Sequence, residues 1–214
     1  MKRYSGVIFD MDGVICSTAE YHYQSWKAVT DEIGVYFDKS INNRLRGISR
    51  MDSLEIILEQ SKHFFSLKEK EAFAEKKNAI YLELIQNITP ADLSCEVRST
   101  LDELRAFGLK LAIGSSSRNT GVILERLGLS GFFDAVSDGN NIEKGKPDPQ
   151  VFTMAAAYIG LLPAECLVVE DAEAGILAAA NGGFDSAGLD EAAVCGKATY
   201  SIKAFSELKQ ICMG

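Results

Sequence analysis

The chain has no Cys-x-x-Cys pair and no histidine cluster at metal-binding spacing; its five cysteines, Cys16, Cys95, Cys166, Cys195 and Cys212, are scattered. These absences argue against a thiolate or imidazole metal centre and against a disulfide framework, leaving unpaired thiols of a reducing compartment. No stretch approaches the ~18 apolar residues that a membrane span needs. The opening Met1-Lys2-Arg3-Tyr4-Ser5 leads into a short apolar run instead of a long signal-like one, so the expectation is a cytoplasmic protein without membrane contact. Positive charge is also short. A formal net charge of -8 lacks the basic face that nucleic-acid binding requires. Internal repeats and low-complexity tracts are missing too.

What is present reads as an ordinary globular chain. The 214 residues, 47% hydrophobic and 24% charged, suffice for one domain, or for a core domain carrying a smaller inserted one. Short β-branched runs occur at 7–10, 110–114, 135–137, 167–170 and, more weakly, 199–202. Helical patterns lie between them, the signature of βαβ units and a mainly parallel, doubly wound, Rossmann-like α/β sheet. Val97, Leu101, Leu104 and Phe107 recur at helical spacing ahead of Gly108, and a second helix opens at Pro149 and runs to Ile159.

Residues 17–90 break the alternation, with helical stripes and no strand. Trp26, Val29 and Ile33 form one stripe ended by Gly34. Leu54, Ile57 and Leu58 form another behind Ser49 and Asp52, a variant capping box, and Ser66 to Glu69 is a fuller box opening a helix toward Asn87. An all-helical block of this size between the first and second strands predicts an inserted cap domain, 17–90, on a core made of 1–16 and 91–214. Trp26 reads as cap core, not as a platform for a sugar.

The chemistry is carried by acids at strand ends. Val7-Ile8-Phe9-Asp10-Met11-Asp12-Gly13 is an apolar strand that ends in two carboxylates, and ligands of open α/β sheets bind at the carboxyl ends of strands. Residues i and i+2 of an extended chain face the same side, so Asp10 and Asp12 can share one small volume. Alone, the pair also fits a simple Asp-Gly turn. Leu167-Val168-Val169-Glu170-Asp171 repeats the device. Together the two ends offer an oxygen-rich set suited to a hard divalent cation, Mg2+ first. Ser115, Ser116, Ser117, Arg118 and Asn119 follow a third strand; they can hold phosphate oxygens near a helix start or serve as a polar loop with a serine cap. Lys146, in Gly145-Lys146-Pro147-Asp148-Pro149, supplies a cation. With one divalent ion it leaves the four acids a single net negative charge, which lets a phosphate dianion approach.

In this order, Asp-x-Asp, a strand-end Ser, a Lys and a late acidic pair resemble the four motifs of the haloacid dehalogenase superfamily of phosphotransferases. The resemblance covers nearly the whole chain. Longer phrases, including Thr18-Ala19-Glu20-Tyr21-His22, Arg46-Gly47-Ile48-Ser49-Arg50, Lys76-Lys77-Asn78 and Glu170-Asp171-Ala172-Glu173-Ala174-Gly175-Ile176, resemble its sugar-phosphate mutases. The resemblance implies that Asp10 is the nucleophile forming an aspartyl phosphate and Asp12 the general acid/base. Asp10, Asp12 through its main-chain carbonyl, Glu170 and Asp171 would hold Mg2+, and Ser115 and Lys146 the transferring phosphoryl oxygens. Arg50, near the Gly47-Ile48 backbone, would bind a second, non-transferring phosphate with Ser117, Arg118 and Asn119. An arginine in a helix's first turn opposes the dipole, which favours an anionic partner. His22 with Lys77 would couple cap closure to Asp12.

The implied reaction interconverts β-D-glucose 1-phosphate and β-D-glucose 6-phosphate through the 1,6-bisphosphate, by a monomer acting on a small sugar phosphate. Two other readings are a Mg2+-dependent sugar-phosphate phosphatase on the same core, and a non-enzymatic phospho-receiver module. The chain departs from the family pattern at Ser17, where an acid is usual, and at Arg46, where a lysine is usual; neither position is implied in phosphoryl chemistry. Asp185 stands where a more apolar strand is expected, and residues beyond about 184 are given no functional role.

Overall fold

The computed structural model describes residues 4–59 and 61–214; residues 1–3, assigned above to the start of the core, lie outside them. Six strands form one all-parallel sheet: β1 (Gly6–Phe9), β2 (Lys110–Gly114), β3 (Ala135–Ser137), β4 (Cys166–Glu170), β5 (Asp185–Gly188) and β6 (Tyr200–Ser201), in the order β3-β2-β1-β4-β5-β6. Helices cover both faces. Val7 and Phe9 join Leu111, Ile113, Leu167 and Val169 in one buried layer against α5 (Cys95–Ala106), α6 (Thr120–Arg126) and α10 (Leu208–Met213). Ile8 joins Ala112, Cys166 and Val168 in the other, against α7 (Gln150–Tyr158) and α8 (Glu173–Asn181). Successive strand residues point to opposite faces, so a strand covered on both sides must be apolar throughout, as β1 is.

The chain leaves β1 for β2 and β3 on one side, then crosses back to β4 and continues outward to β5 and β6. Such a reversal leaves a crevice at the carboxyl ends of the central strands. Phe9 is paired with Val169, so Asp10 and Glu170 emerge side by side at that crevice.

Between β1 and α5 the described residues form four α-helices, α1 (Ala19–Glu32), α2 (Lys39–Asn43), α3 (Arg50–Leu58) and α4 (Leu67–Leu84), followed by two 3-10 turns. Ser49 caps α3 by accepting from the Asp52 N–H, and Ser66 and Glu69 form a reciprocal capping box at the head of α4. Trp26, Val35, Phe37, Ile41, Leu45, Leu54 and Ile57 make an apolar cluster belonging to this insert alone. Tyr81 near the end of α4, with Ile85 and Ile88 just beyond it, packs instead in the layer under the sheet. The long helix is therefore rooted in both units.

Some boundaries differ from the sequence pattern. The α4 pattern expected toward Asn87 stops at Leu84 and continues as one 3-10 turn, and Pro149 caps α7 from outside instead of opening it. The segment at 185–188, where the resemblance implies a more apolar strand, is β5. Its acidic first residue is explained by a partner, because the Tyr4 hydroxyl donates to Asp185 at 2.6 Å. Among the described residues no helix is long and apolar enough to cross a membrane. Replacing Ser66 by Ala removes one side of a capping box and is expected to cost about 1 kcal/mol in urea unfolding, with no change in the slope.

Candidate active site

The strand ends are locked before any ligand arrives. The Asp10 N–H donates to the Val169 carbonyl at 2.9 Å, keeping Asp10 in line with the sheet, and the Gly13 N–H closes the following turn on the Cys16 carbonyl at 2.8 Å. Gly13 has φ +86, and a β-carbon there would overlap the Asp171 carboxylate. At the end of β4, Glu170 Oε2 accepts from the N–H groups of Asp171 and Ala172, both at 2.9 Å. Gly175 leaves the space in which the Glu170 carboxylate lies. Only glycine fits either position, which gives the Asp-Gly turn and the small-residue entry to α8 a steric cause.

Lys146 Nζ lies 2.5 Å from Asp10 Oδ1 and 2.5 Å from Glu170 Oε1, fully buried, with the Phe152 ring beneath it at 4.7 Å. Burial lowers the Lys146 pKa, but the attraction of Asp10 and Glu170 outweighs it and raises the ammonium above its ordinary range. Burial raises Asp10 well above the usual carboxylate range; Lys146 opposes this, and Glu170, Asp12 and Asp171 reinforce it. Burial and the Glu170 charge push Asp171 up to about 7 against the pull of Arg46. Asp10, Glu170 and Asp171 each present an oxygen within 4.8 Å of the others, all buried. Three oxygen donors with excess negative charge and no sulfur or nitrogen among them suit a hard divalent cation.

In front of this cluster opens a cavity of about 660 Å3. Asp10, Asp12 and Asp171 line its floor, with Ser115, Ser117, Arg118 and Asn119 on the β2 side; His22, Gly47, Ile48, Arg50 and Lys77 face them from the insert. Lys146 and Glu170 sit buried behind Asp10. The Ser115 hydroxyl accepts from the Ser117 N–H, and the Ser117 hydroxyl from the Asn119 N–H, each at 3.2 Å. All the residues singled out from the sequence are thus gathered at one cleft or directly behind it.

The Asp12 carboxylate turns away from the other acids. The Thr18 hydroxyl donates to its Oδ1, and His22 Nε2 lies 3.6 Å from its Oδ2. Withdrawal from solvent raises its pKa, but His22, Thr18 and Lys77 together hold it below the usual carboxylate range. Lys77 Nζ is 2.9 Å from His22 Nδ1 and lies over the rings of Tyr81 and Trp26, at 4.4 and 5.4 Å. Burial and the nearby Arg50 charge bring Lys77 down to about 7, with Asp12 opposing. His22 is lowered by burial and by Lys77, against Asp12. Higher in the cleft, the Asn78 side-chain carbonyl accepts from Arg50 Nη2 at 2.7 Å and from Asn119 Nδ2 at 2.8 Å. Burial and the charge of Arg118 lower the Arg50 pKa. Among the described residues neither arginine pairs with a carboxylate. The cleft therefore has an acidic floor and, higher up, a pair of neighbouring guanidinium groups, with Asp52, Glu71, Glu75 and Glu143 elsewhere along its wall.

Thr18, Asn78 and Arg46 escaped assignment from sequence. Thr18 and Asn78 belong to phrases quoted for the resemblance, yet nothing local marked their contacts across the fold. Arg46, read only as a departure from the family lysine, forms an ion pair with Asp171 from across the cleft. The Lys77 environment gives a direct measurement. An unfolded lysine binds its proton below about pH 10.4, whereas folded Lys77 does so only below about 7, so stability should rise with pH in that window. Urea unfolding at pH 7 and 9.5 is expected to show wild type gaining on the order of a few kcal/mol relative to Lys77→Met. Parallel pH profiles for the two proteins would refute the buried, depressed lysine.

Comparison with known proteins agrees with this geometry. A family model described as haloacid dehalogenase-like hydrolase matches residues 4–183. A β-phosphoglucomutase of Bacillus subtilis (strain 168) is 42% identical over 187 residues, 86% of this chain and 83% of that protein. Fructose-1-phosphate phosphatase YqaB of Escherichia coli (strain K12) is 31% identical over 185 residues, 86% of this chain and 96% of that one. The crystal structure of a β-phosphoglucomutase from Clostridium difficile superposes with a TM-score of 0.91 at 36% identity, covering 96% of this chain and 93% of its own. With its doubly wound sheet, its acids at the strand ends and these likenesses along its length, the chain belongs to the haloacid dehalogenase-like hydrolase family and is an enzyme of it.

Proposed function

We propose that the protein is a Mg2+-dependent β-phosphoglucomutase that interconverts β-D-glucose 1-phosphate and β-D-glucose 6-phosphate through β-glucose 1,6-bisphosphate, with residues 17–90 acting as a cap over a core of 1–16 and 91–214. The observation that carries this reading is that one cleft holds two poles: a floor of Asp10, Asp12 and Asp171 with Glu170 behind it and, higher up, the neighbouring guanidinium groups of Arg50 and Arg118, neither of which pairs with a carboxylate among the described residues. A substrate with a phosphate at each end matches both poles, and turning it end for end exchanges them. The likeness to β-phosphoglucomutases supports the choice of sugar.

Asp10, Glu170 and Asp171, with the Asp12 main-chain carbonyl that the family resemblance implies, would hold Mg2+, which neutralises charge on the transferring phosphoryl oxygens. The Asp10 carboxylate attacks phosphorus as the bond from phosphorus to the sugar oxygen breaks, and Asp12 gives its proton to that departing oxygen. In the second half, a hydroxyl of the sugar monophosphate gives its proton to Asp12 while its oxygen bonds to phosphorus and frees Asp10. His22, Thr18 and Lys77 keep Asp12 ionised and ready to take the hydroxyl proton in this half, and that is the proton it gives to the departing oxygen in the other half. Ser115 and Lys146 hold phosphoryl oxygens, and Arg50, Ser117, Arg118 and Asn119 hold the other phosphate. His22 and Lys77 tie the cap to Asp12, and the Gly47-Ile48 backbone borders the sugar. Closing the cap excludes water, favouring transfer over hydrolysis. A cytoplasmic location fits the five unpaired cysteines, and one chain carries every residue invoked here, as a monomer requires.

A sugar-phosphate phosphatase is the second reading, favoured by relatives that carry phosphatase names. To separate the two, purified protein with Mg2+ and β-glucose 1-phosphate, primed with a little of the bisphosphate, is followed for both glucose 6-phosphate and inorganic phosphate. The mutase reading expects isomer formation far in excess of phosphate; phosphate released at the turnover rate without isomer overturns it. Asp12→Ala is expected to lose about 10²–10⁴-fold in turnover while keeping Mg2+ affinity, and wild-type turnover in that variant would remove Asp12 from the proton step.

A further inference from the structure

Arg46 stands on the short connection between α2 and α3, and its guanidinium reaches across the cleft to the core. Nη2 forms an ion pair with Oδ2 of Asp171, whose side chain is only 4% exposed. The same Nη2 lies 3.8 Å from Oδ2 of Asp190, whose side chain is 69% exposed. One guanidinium is thus shared between a buried carboxylate of the acidic floor and a solvated one at the cleft edge. Both carboxylates are held in fixed relation: the Leu189 N–H donates to the Glu170 carbonyl at 2.8 Å and the Ala192 N–H to the Asp171 carbonyl at 3.0 Å. Asp190 has φ 45, alone among described non-glycine residues in the left-handed region, a conformation that aspartate and asparagine tolerate better than most.

The insert side is equally close. Ser116 donates its hydroxyl hydrogen to the Gly47 carbonyl at 3.1 Å, and a β-carbon on Gly47 would lie 3.3 Å from that of Ala172. The Arg46 loop therefore rests on the segment that follows Asp171. A cation arriving at Asp10, Glu170 and Asp171 meets a guanidinium already bonded to one of its three ligands, and like charges at this range repel strongly where water is scarce. Asp190 offers the displaced guanidinium a carboxylate within a small swing of its side chain.

We propose that Arg46 competes with the metal for Asp171 and is passed to Asp190 when the metal binds, so that the insert's hold on the core and the occupancy of the metal site are coupled. The inference rests on the reading of Asp10, Glu170 and Asp171 as the Mg2+ site. Coupling is reciprocal: whatever Arg46 gains from Asp171, Mg2+ loses, and whatever Asp190 offers Arg46 returns to Mg2+.

The test is calorimetric titration of Mg2+ into substrate-free protein, for wild type, Arg46→Met, Asp190→Asn and the double variant, each checked for folding by circular dichroism. Arg46→Met is expected to bind Mg2+ about fivefold tighter or more, with Arg46→Gln giving the same result through a second neutral side chain. Asp190→Asn is expected to bind more weakly than wild type, yet to have no effect in the Arg46→Met background. Unchanged or weaker binding in both neutral Arg46 variants overturns the inference. So does an Asp190→Asn effect of equal size in both backgrounds, which would be a plain field effect of the lost charge. Absence of Mg2+ binding by wild type overturns the metal assignment and this inference together, whereas wild-type binding without tightening overturns this inference alone.

Discussion

The site is built around Lys146, buried between Asp10 and Glu170. Two adjacent parallel strands deliver their terminal acids to one point, and three carboxylates with little solvent around them repel unless a cation is placed among them. Removing one partner of such a cluster leaves uncompensated buried charge, a far larger cost than the pair's net stabilisation. Several distant features follow from that requirement. Gly175 is needed so that Glu170 can lie against α8, Gly13 so that Asp171 has room, and the N–H groups of Asp171 and Ala172 occupy the Glu170 oxygen that Lys146 does not reach. Burial first, and the neighbouring carboxylates after it, raise the pKa values of Asp10 and Asp171, and a divalent cation among these oxygens would offset both.

The insert lines the cleft with charge of both signs, Asp52, Glu71 and Glu75 as well as three cations. Arg46, Arg50 and Lys77 all come from it and all face the cleft. Their burial has a different character at each position. Lys77 is stripped of water against two aromatic rings and meets a histidine nitrogen, so its charge is marginal near neutrality. Arg50 keeps its charge beside Arg118 and is steadied by a neutral amide, Asn78, which adds no countercharge and leaves the guanidinium available to an anion. Two neighbouring cations without a carboxylate are poorly placed energetically until an anion joins them.

The sheet and the acidic floor were legible in the sequence because both are local. Apolar runs that end in acids need only their own residues to be seen, and Asp10, Asp12, Glu170 and Asp171 stand at the strand ends where the pattern put them. β5 carries no pattern of its own, because its first residue is acidic and its last is glycine, and is expected only from the resemblance; Asp185 is tolerated there through the Tyr4 hydroxyl, a contact 181 residues away along the chain. The same holds for Asn78, which joins residues 28 and 41 positions away, and for Arg46, whose partner lies 125 positions on. Such residues carry no periodicity and no motif chemistry of their own. Their meaning is created by the docking of the insert on the core, which family resemblance outlines and only tertiary structure fills in.

α4 joins the two units mechanically as well as chemically. Its far end is embedded with Tyr81 beneath the sheet, while its near end, at Leu67, is about 21 Å away at the rise of an α-helix. If the helix tilts as a rigid rod about Tyr81 by about 10°, Leu67 travels roughly 4 Å, but Lys77, only about 6 Å from the pivot, moves roughly 1 Å. The helix is then a reduction gear. Large excursions at the outer edge of the insert become fine adjustments at His22 and Asp12, on the scale by which a hydrogen bond is made or lost.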